Sequence, residues 1–297
     1  MRQEDFLFRL QSGRVIVADG AMGTMLQAAG LPPGVAPEGW LLENPEAVAG
    51  VHRAYIDAGS DLILTCTFGA TRPRLQRTGL GERVGEINRR AVEVAREAAG
   101  EAVFVAGDIG PLGEFLTPLG ALSYEEAVDI FAEQAAALVA AGVDLLYIET
   151  MSALDEVQAA VEGALRVADG TPVTATLSFD SHGRTNMGVR PEEAAEALLE
   201  LGVDALGANC GATLDMTLGA VETIHQVASE MPLIVKPNAG MPRLVGDDVV
   251  YDATPEDMAG YARRFVDLGA RIVGGCCGST PKHITAIARA VRSVSLV

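Results

Sequence analysis

LVAAGVDLLYIET, residues 138–150, contains the junction that decides the fold: a helical run ends at Gly142, and a buried strand follows at once. Glycine is favoured just after a helix because it adopts a left-handed backbone at the least cost. The apolar run LLYI is typical of a parallel strand that is covered on both faces. The same junction recurs at Gly59, Gly202 and Gly269, each followed two residues later by Asp or Arg and then by an apolar run.

Further apolar runs between these junctions predict the remaining strands, at 15–18, 103–106, 173–178 and 233–236. Helical stretches separate the strands, at 45–58, 82–99, 123–141, 153–168, 191–201, 215–229, 255–268 and 281–293. Eight strand–helix units in 297 residues predict an α/β chain that folds as a single (β/α)8 TIM barrel, which typically needs about 250 residues.

A doubly wound open sheet is the alternative fold, and it would ordinarily carry GxGxxG after its first strand. The sequence instead reads DGAMGT at 19–24, which favours the barrel. The longest irregular segments, 30–39 and 240–252, are predicted to be loops on the catalytic rim. No linker or shift in composition divides the chain, so residues 1–297 are expected to form one domain.

The composition excludes several classes of partner. There are 22 Lys and Arg residues against 40 Asp and Glu residues, a net charge of −18, and lysine occurs only at positions 236 and 282. Nucleic acid and anionic membrane surfaces are therefore not expected partners. No apolar run reaches the roughly 20 residues of a membrane span, and the charged start is not a secretory signal. With only four cysteines, the sequence predicts a cytoplasmic protein with reduced thiols.

Three of those cysteines stand where predicted strands end, at the face of a barrel that carries the chemistry. Cys210 ends the sixth strand, and Cys276 and Cys277 follow the eighth. Three thiolates favour one zinc ion per chain. No histidine stands at a strand end, so the fourth position is expected to be open, and a substrate thiol is its natural occupant. Such a site suits alkyl transfer to sulfur. Cys66 is interpreted as a small buried hydrophobe.

Two carboxylates, Asp19 and Glu149, end the first and fourth strands. They are either capping and ion-pairing residues or acceptors for a substrate ammonium group. The backbone N–H groups of Gly20 and Ala21 could receive a substrate carboxylate. Asn238 is expected in the same pocket. Together these residues would bind the two ends of an α-amino acid.

Another hypothesis is a phosphate-binding lyase or aldolase on the same barrel. Gly274 and Gly275 could form a phosphate cradle with the next helix, and Lys236 could form a Schiff base by analogy with other barrels. Pro237 directly follows this lysine, and no second feature supports the Schiff base. A packing or surface role is therefore predicted for Lys236.

The sequence resembles the zinc-dependent homocysteine S-methyltransferase family over about residues 6–293. Its marks are ADGAMGTMLQ (18–27), TCTFGAT (65–71), GDIGPLG (107–113), IET (148–150), FDSHGRT (179–185), GANCG (207–211), KPNAGMP (236–242) and GGCCGSTPKHI (274–284). The most similar branch is the N-terminal homocysteine module of cobalamin-dependent methionine synthase.

The resemblance implies a zinc ion held by Cys210, Cys276 and Cys277, with the homocysteine sulfur as fourth ligand. By position, it implies that Asp19 and Glu149 take the ammonium group of homocysteine. It also implies that the N–H groups of Gly20 and Ala21 take its carboxylate, with Asn238 nearby.

The resemblance leaves the methyl donor open between methylcobalamin and S-methylmethionine. Gly69 stands where the betaine-using relatives carry a tyrosine, which argues against betaine. The chain is expected to be a methyltransferase that makes methionine from homocysteine. The alternative is a homocysteine-binding module that presents the thiolate to a separate corrinoid or folate protein.

Overall fold

The computed structural model describes residues 2–246 and 248–293. Its strands are β1 Ile16–Val17, β2 Leu62–Leu64, β3 Phe104–Ile109, β4 Leu145–Met151, β5 Val173–Leu177, β6 Ala205–Cys210, β7 Leu233–Pro237, β8 Arg243–Val245, β9 Asp248–Val250 and β10 Ala270–Val273. Eight of them form one parallel sheet in the order β1-β10-β7-β6-β5-β4-β3-β2. A parallel bridge between Ala18 and Leu62 joins its two ends. The predicted (β/α)8 barrel is confirmed, and the open doubly wound sheet is excluded.

Helices cover the outside of this barrel. They are α1 Arg2–Gln11, α2 Met22–Ala28, α3 Trp40–Glu43, α4 Pro45–Asp57, α5 Arg72–Gln76, α6 Val84–Ala99, α7 Tyr124–Ala140, α8 Leu154–Val167, α9 Pro191–Leu201, α10 Leu214–Val227, α11 Pro255–Asp267 and α12 Pro281–Arg292. The eight predicted helices agree with the structure to within two residues at each end. Nowhere in the described ranges is a helix long and apolar enough to cross a membrane.

The repeated Gly-x-Asp junction is explained by two local interactions. All four junction glycines have positive φ, from 75° at Gly202 to 106° at Gly59. The following aspartate then accepts a hydrogen bond from the backbone of the preceding barrel strand. Asp144 Oδ2 accepts from Val105 N at 2.7 Å, and Asp61 and Asp204 make the same bond to β1 and β5. The junction thus ends a helix and fixes the next strand beside its neighbour.

Several features of the fold differ from the sequence prediction. The helix α1 was not predicted, and it buries Phe6 and Leu10 among inward-facing residues at the starts of the barrel strands. The segment 240–252 is not a plain loop, because β8 and β9 pair within it as an antiparallel hairpin. A short 3-10 helix, Pro37–Gly39, lies within the other predicted rim loop.

Candidate metal centre and substrate cavity

Three cysteines meet at the carboxyl ends of β6 and β10. The Sγ atom of Cys210 lies 3.3 Å from that of Cys276 and 3.9 Å from that of Cys277, and all three Sγ atoms lie within 4.8 Å of one another. Cys210 has φ of 59°, in the left-handed region that non-glycine residues rarely adopt. The strand therefore ends in a sharp turn at the very residue whose thiol joins the cluster.

Gly278 makes the turn after the cysteine pair possible. Its φ is 76°, and a Cβ atom at this position would lie 2.1 Å from the ring of Tyr251. The residue must therefore be glycine for two independent reasons. Tyr251 comes from the long segment that contains the hairpin, and its ring lies against Gly278, directly after Cys277. The CCG sequence thus places two thiols side by side under a neighbouring loop.

The thiols share protons unequally because they bond to one another. Hydrogen bonds from Cys210 and Cys276 lower the pKa of Cys277 to about 3. The pKa of Cys210 is raised, first by its bond to Cys276 and then by its bond to Cys277. The cluster therefore holds negative charge on sulfur, which is the form that binds a metal ion. On its donor set, this group of cysteines could hold a soft or borderline metal.

Lys236 lies buried at the floor of the adjoining cavity, so of the packing and surface roles predicted for it the surface role is excluded. Its Nζ atom lies 3.1 Å from Asp19 Oδ1 and 3.9 Å from Glu149 Oε2, and its side chain is 3% exposed. Burial opposes the charge, but the two carboxylates outweigh burial and raise the pKa of Lys236 well above its usual value. A paired, protonated ammonium group is a poor nucleophile, which argues against a Schiff-base role.

Both glycines considered for a phosphate cradle after β10 already use their N–H groups within the sheet. Gly274 N donates to Val235 O at 3.1 Å, and Gly275 N donates to Asp19 O at 3.0 Å. These bonds continue the sheet across the closing strands of the barrel. The two N–H groups are therefore committed to the fold and do not point at a ligand.

Asn209 connects the carboxylate floor with the thiols. Its Oδ1 accepts hydrogen bonds from Thr150 N and from Thr176 Oγ1, both at 2.8 Å. The side-chain amide is thereby fixed with Nδ2 toward Glu149 Oε2, at 3.3 Å, and toward Cys276 Sγ, at 3.9 Å. The sequence marks Asn209 only as part of the GANCG motif (207–211), and its bridging position depends on residues from three other segments.

The Gly20–Ala21 turn is held rigidly beside the cysteine loop. Ala21 N donates to Ser279 Oγ at 3.2 Å, and Ser279 Oγ donates to the carbonyl of Cys276 at 2.6 Å. A Cβ atom at Gly20 would lie 2.7 Å from Ser279 Oγ, so the close approach requires glycine. Asn238 contacts a different turn, the one after Cys210, where its Nδ2 donates to Gly211 O at 2.8 Å.

The three cysteines, the carboxylate floor and the Gly20–Ala21 turn face one cavity of about 670 Å³. Asn209, Asn238 and Ser279 support these groups from behind the lining. The structure brings together Asp19, Gly20, Ala21, Glu149, Lys236, Cys210, Cys276 and Cys277 in its lining. Cys66 also lines the cavity, but it is 4% exposed and lies outside the cluster of thiols. Burial raises the pKa of the Cys66 thiol well above its usual value, in keeping with a small apolar residue.

The residues that line the outer part of the cavity were not predicted as site residues from the sequence. The guanidinium group of Arg74 lies 5.5 Å from the centre of the Phe68 ring, and Arg77 donates to Gly113 O at 2.6 Å. Glu38 is buried and accepts a hydrogen bond from Gly69 N at 2.6 Å. A Cβ atom at Gly69 would lie 2.8 Å from that carboxylate, so no aromatic side chain fits there without displacing it.

The carboxyl group of Glu149 is expected to make stability depend on pH. Burial raises its pKa from 4.5 to about 8, although Lys236 opposes this shift. The folded state therefore keeps a proton that the unfolded state loses, and this stabilisation is lost as pH rises through about 8. We expect the free energy of unfolding to fall more steeply between pH 5.5 and 9 in the wild type than in Glu149→Gln.

Urea unfolding at a series of pH values, with matched zinc content, would measure this difference. Glu46→Gln serves as the control, because Glu46 lies exposed on α4 and pairs with Arg53 at the surface. Equal pH slopes for the wild type and Glu149→Gln would contradict the assignment.

Comparison with known proteins identifies the family. A family model described as homocysteine S-methyltransferase matches residues 16–291. The chain belongs to the homocysteine S-methyltransferase family. This family member is 32% identical to the methionine synthase of Mycobacterium tuberculosis over 97% of its own length, but over only 25% of that protein. It is likewise 32% identical to the methionine synthase of Mycobacterium leprae, covering 94% of the chain and 24% of that protein.

The family member therefore spans about a quarter of the length of these curated relatives. Among solved structures, it is similar to the metallated form of the homocysteine methyltransferase MmuM from Escherichia coli. The TM-score is 0.77 at 28% identity, and the match covers 93% of this chain and 96% of that one. This likeness extends over nearly the whole of both chains and agrees with the barrel fold.

Proposed function

We propose that this chain is a zinc-dependent homocysteine S-methyltransferase that forms methionine, and that residues 1–297 are one homocysteine-binding barrel domain of a cytoplasmic protein. The observation that carries the proposal is the group of three cysteines at the mouth of a cavity whose floor is acidic. A thiol-containing amino acid matches both parts of this arrangement. Membership of the family supports the same substrate.

The donor set fits one zinc ion. Zinc–sulfur bonds of about 2.3 Å in a tetrahedron place the sulfurs about 3.8 Å apart. The measured Sγ–Sγ distances of 3.3 and 3.9 Å lie on either side of this value. Cys210, Cys276 and Cys277 would hold the ion, and a fourth ligand would bind it from the cavity. When bound, zinc would supply the positive charge that keeps the substrate thiol deprotonated at neutral pH.

The remaining residues orient the substrate. Asp19 supplies negative charge at the floor for the substrate ammonium group, and Glu149 adds to it when the bound ammonium displaces the proton that its raised pKa retains. The Gly20–Ala21 turn is proposed to face the substrate carboxylate, with Gly20 N–H as the donor, because Ala21 N–H already bonds to Ser279. Asn209 positions Glu149 relative to Cys276, and Asn238 supports the turn after Cys210.

The methyl-transfer step needs no covalent bond to the protein. The substrate thiolate attacks the donor methyl carbon, the new carbon–sulfur bond forms, and the old bond breaks with its electron pair leaving on the donor. Homocysteine would occupy only part of a cavity of about 670 Å³. The outer part, lined by Phe68 and Arg74, is where a donor methyl group would approach.

One observation favours the alternative in which a corrinoid protein brings the methyl group. Among the side chains that the structure describes, eight of the ten exposed large apolar ones lie in loops that follow barrel strands. They are Val35, Phe115, Leu119, Met187, Met241, Leu244, Val249 and Val250. These loops surround the face at which the cavity opens. Exposed apolar groups on one functional face are typical of a protein-binding surface.

A panel of methyl donors tests the proposal and separates its two forms. Zinc-loaded protein and homocysteine are incubated with methylcobalamin, S-methylmethionine, S-adenosylmethionine or betaine, and methionine is measured. We expect turnover with S-methylmethionine or methylcobalamin and none with betaine. Turnover only after addition of a methylated corrinoid protein would support the module. Full methyl transfer by metal-free protein would contradict both forms.

A further inference from the structure

The two oxygens of Asp19 are already used within the protein. Asp19 Oδ2 accepts a hydrogen bond from Leu64 N at 2.8 Å, and Oδ1 accepts one from Lys236 Nζ at 3.1 Å. The side chain is only 3% exposed. An incoming ammonium group would have to compete with a buried lysine for this carboxylate. Asp19 therefore contributes charge to the floor but offers little free hydrogen-bonding capacity.

Asp108 is a carboxylate in the same cavity that, unlike Asp19, keeps free hydrogen-bonding capacity. It is 6% exposed and lines the cavity, and its Oδ1 atom is buried without a hydrogen-bond partner among the described residues. Buried carboxylate oxygens are normally paired, so an unpaired one at a binding cavity calls for a ligand. In the sequence, Asp108 stands out only as part of the GDIGPLG motif (107–113).

The backbone at Asp108 is fixed, so its side chain has a defined direction. Asp108 N donates to Thr65 Oγ1 at 3.0 Å, and Asp108 O accepts from Thr67 Oγ1 at 2.7 Å and from Gln134 Nε2 at 3.2 Å. In the sheet, Asp108 pairs with Tyr147 of the neighbouring strand β4. Glu149 lies two residues further along that strand, on the same face.

The charges at the floor leave room for a second cation. In the described part of the chain, Lys236 is the one buried cation that faces Asp19, Asp108 and Glu149. The net charge of these four side chains is −2 when all are ionised. Burial and the nearby Glu149 raise the pKa of Asp108 well above its usual value. A substrate ammonium group placed between the two carboxylates would relieve their mutual repulsion.

We propose that Asp108 is a further substrate-binding residue, which together with Glu149 accepts the ammonium group of the amino-acid substrate. Lys236 meanwhile stays paired with Asp19. The inference rests on the proposed function, because it takes the substrate to be an α-amino thiol. Lys236 is then a positioning residue, since it acts on the substrate only through its carboxylate partners. Recognition of the amino group thus depends on a residue from β3.

The test compares homocysteine with 4-mercaptobutanoic acid, which keeps the thiol and the carboxylate but lacks the amino group. Dissociation constants are measured by calorimetry for zinc-loaded wild type and Asp108→Asn. We expect the variant to bind homocysteine roughly 10- to 100-fold more weakly, the range for losing a charged hydrogen-bond partner. Its affinity for 4-mercaptobutanoic acid is expected to stay within about twofold of the wild type, since no amino group is present.

Asp129→Asn is the matched control, because Asp129 lies exposed on the helix that follows β3 and pairs with Arg166. Asp108→Ser provides a second variant if the asparagine variant does not fold. A homocysteine affinity within twofold of wild type, or an equal loss for both thiols, would overturn the inference alone. Failure of the wild type to bind homocysteine would overturn the proposed function as well.

Discussion

Replacing Cys276 with serine is expected to remove zinc from the protein and to abolish methionine formation. Zinc in small thiolate sites contributes about 10–16 kcal/mol, or roughly 2.5–4 kcal/mol for each of four ligands. The loss of one thiolate should therefore weaken zinc binding by about 70- to 1,000-fold. Zinc content by atomic absorption and methionine formation with the best donor of the panel would measure the two losses together.

The fourth cysteine provides the control for this variant. Cys66 lines the same cavity but lies outside the cluster of thiols. Cys66→Ser should therefore keep a full complement of zinc. If Cys276→Ser also retained stoichiometric zinc and full activity, the assignment of the metal site would be wrong.

Replacing Lys236 with methionine is expected to lower the free energy of unfolding by about 3–5 kcal/mol, the usual cost of breaking a buried ion pair by removing one partner. Asp19 and Glu149 would be left buried without their cation. The loss should be larger at pH 9 than at pH 6, because protonation relieves the stranded carboxylates at the lower pH. Urea unfolding at both values would measure it.

Lys282 is the only other lysine in the chain and lies exposed at the start of α12, so Lys282→Met is the matched control. Adding Asp19→Asn to the Lys236→Met variant should recover part of the lost stability, because it removes one of the unpaired charges. A Lys236→Met variant within about 1 kcal/mol of the control would contradict the buried pair, whose loss should cost several times more.

The barrel could be predicted from sequence because its signals are local. At four helix–strand junctions a glycine with positive φ ends the helix, and at three of them the aspartate two residues later bonds to the backbone of the preceding strand, as at Gly142 and Asp144. The strands at these junctions are short apolar runs. The hairpin of β8 and β9 carried no such signal, because its six strand residues mix charged and apolar side chains and are flanked by glycine and proline.

The cysteines could also be identified from sequence, because strand ends of a barrel meet at one face. The role of Lys236 could not, since burial of a lysine depends on carboxylates that lie 217 residues and 87 residues away along the chain. The same holds for Asp108, which became a candidate only when its oxygen proved to be unpaired. Contacts between distant segments decide whether a strand-end residue binds the substrate, forms an ion pair or supports a neighbouring residue.

X-ray absorption at the zinc edge tests the central claim most directly. The zinc-loaded protein should show three sulfur ligands at about 2.3 Å and one lighter ligand, and addition of homocysteine should raise the count to four sulfurs. The Cys276→Ser variant provides the reference for an incomplete site. Fewer than three sulfur ligands in the wild type, or no increase with homocysteine, would contradict a metal site built to receive the substrate thiol.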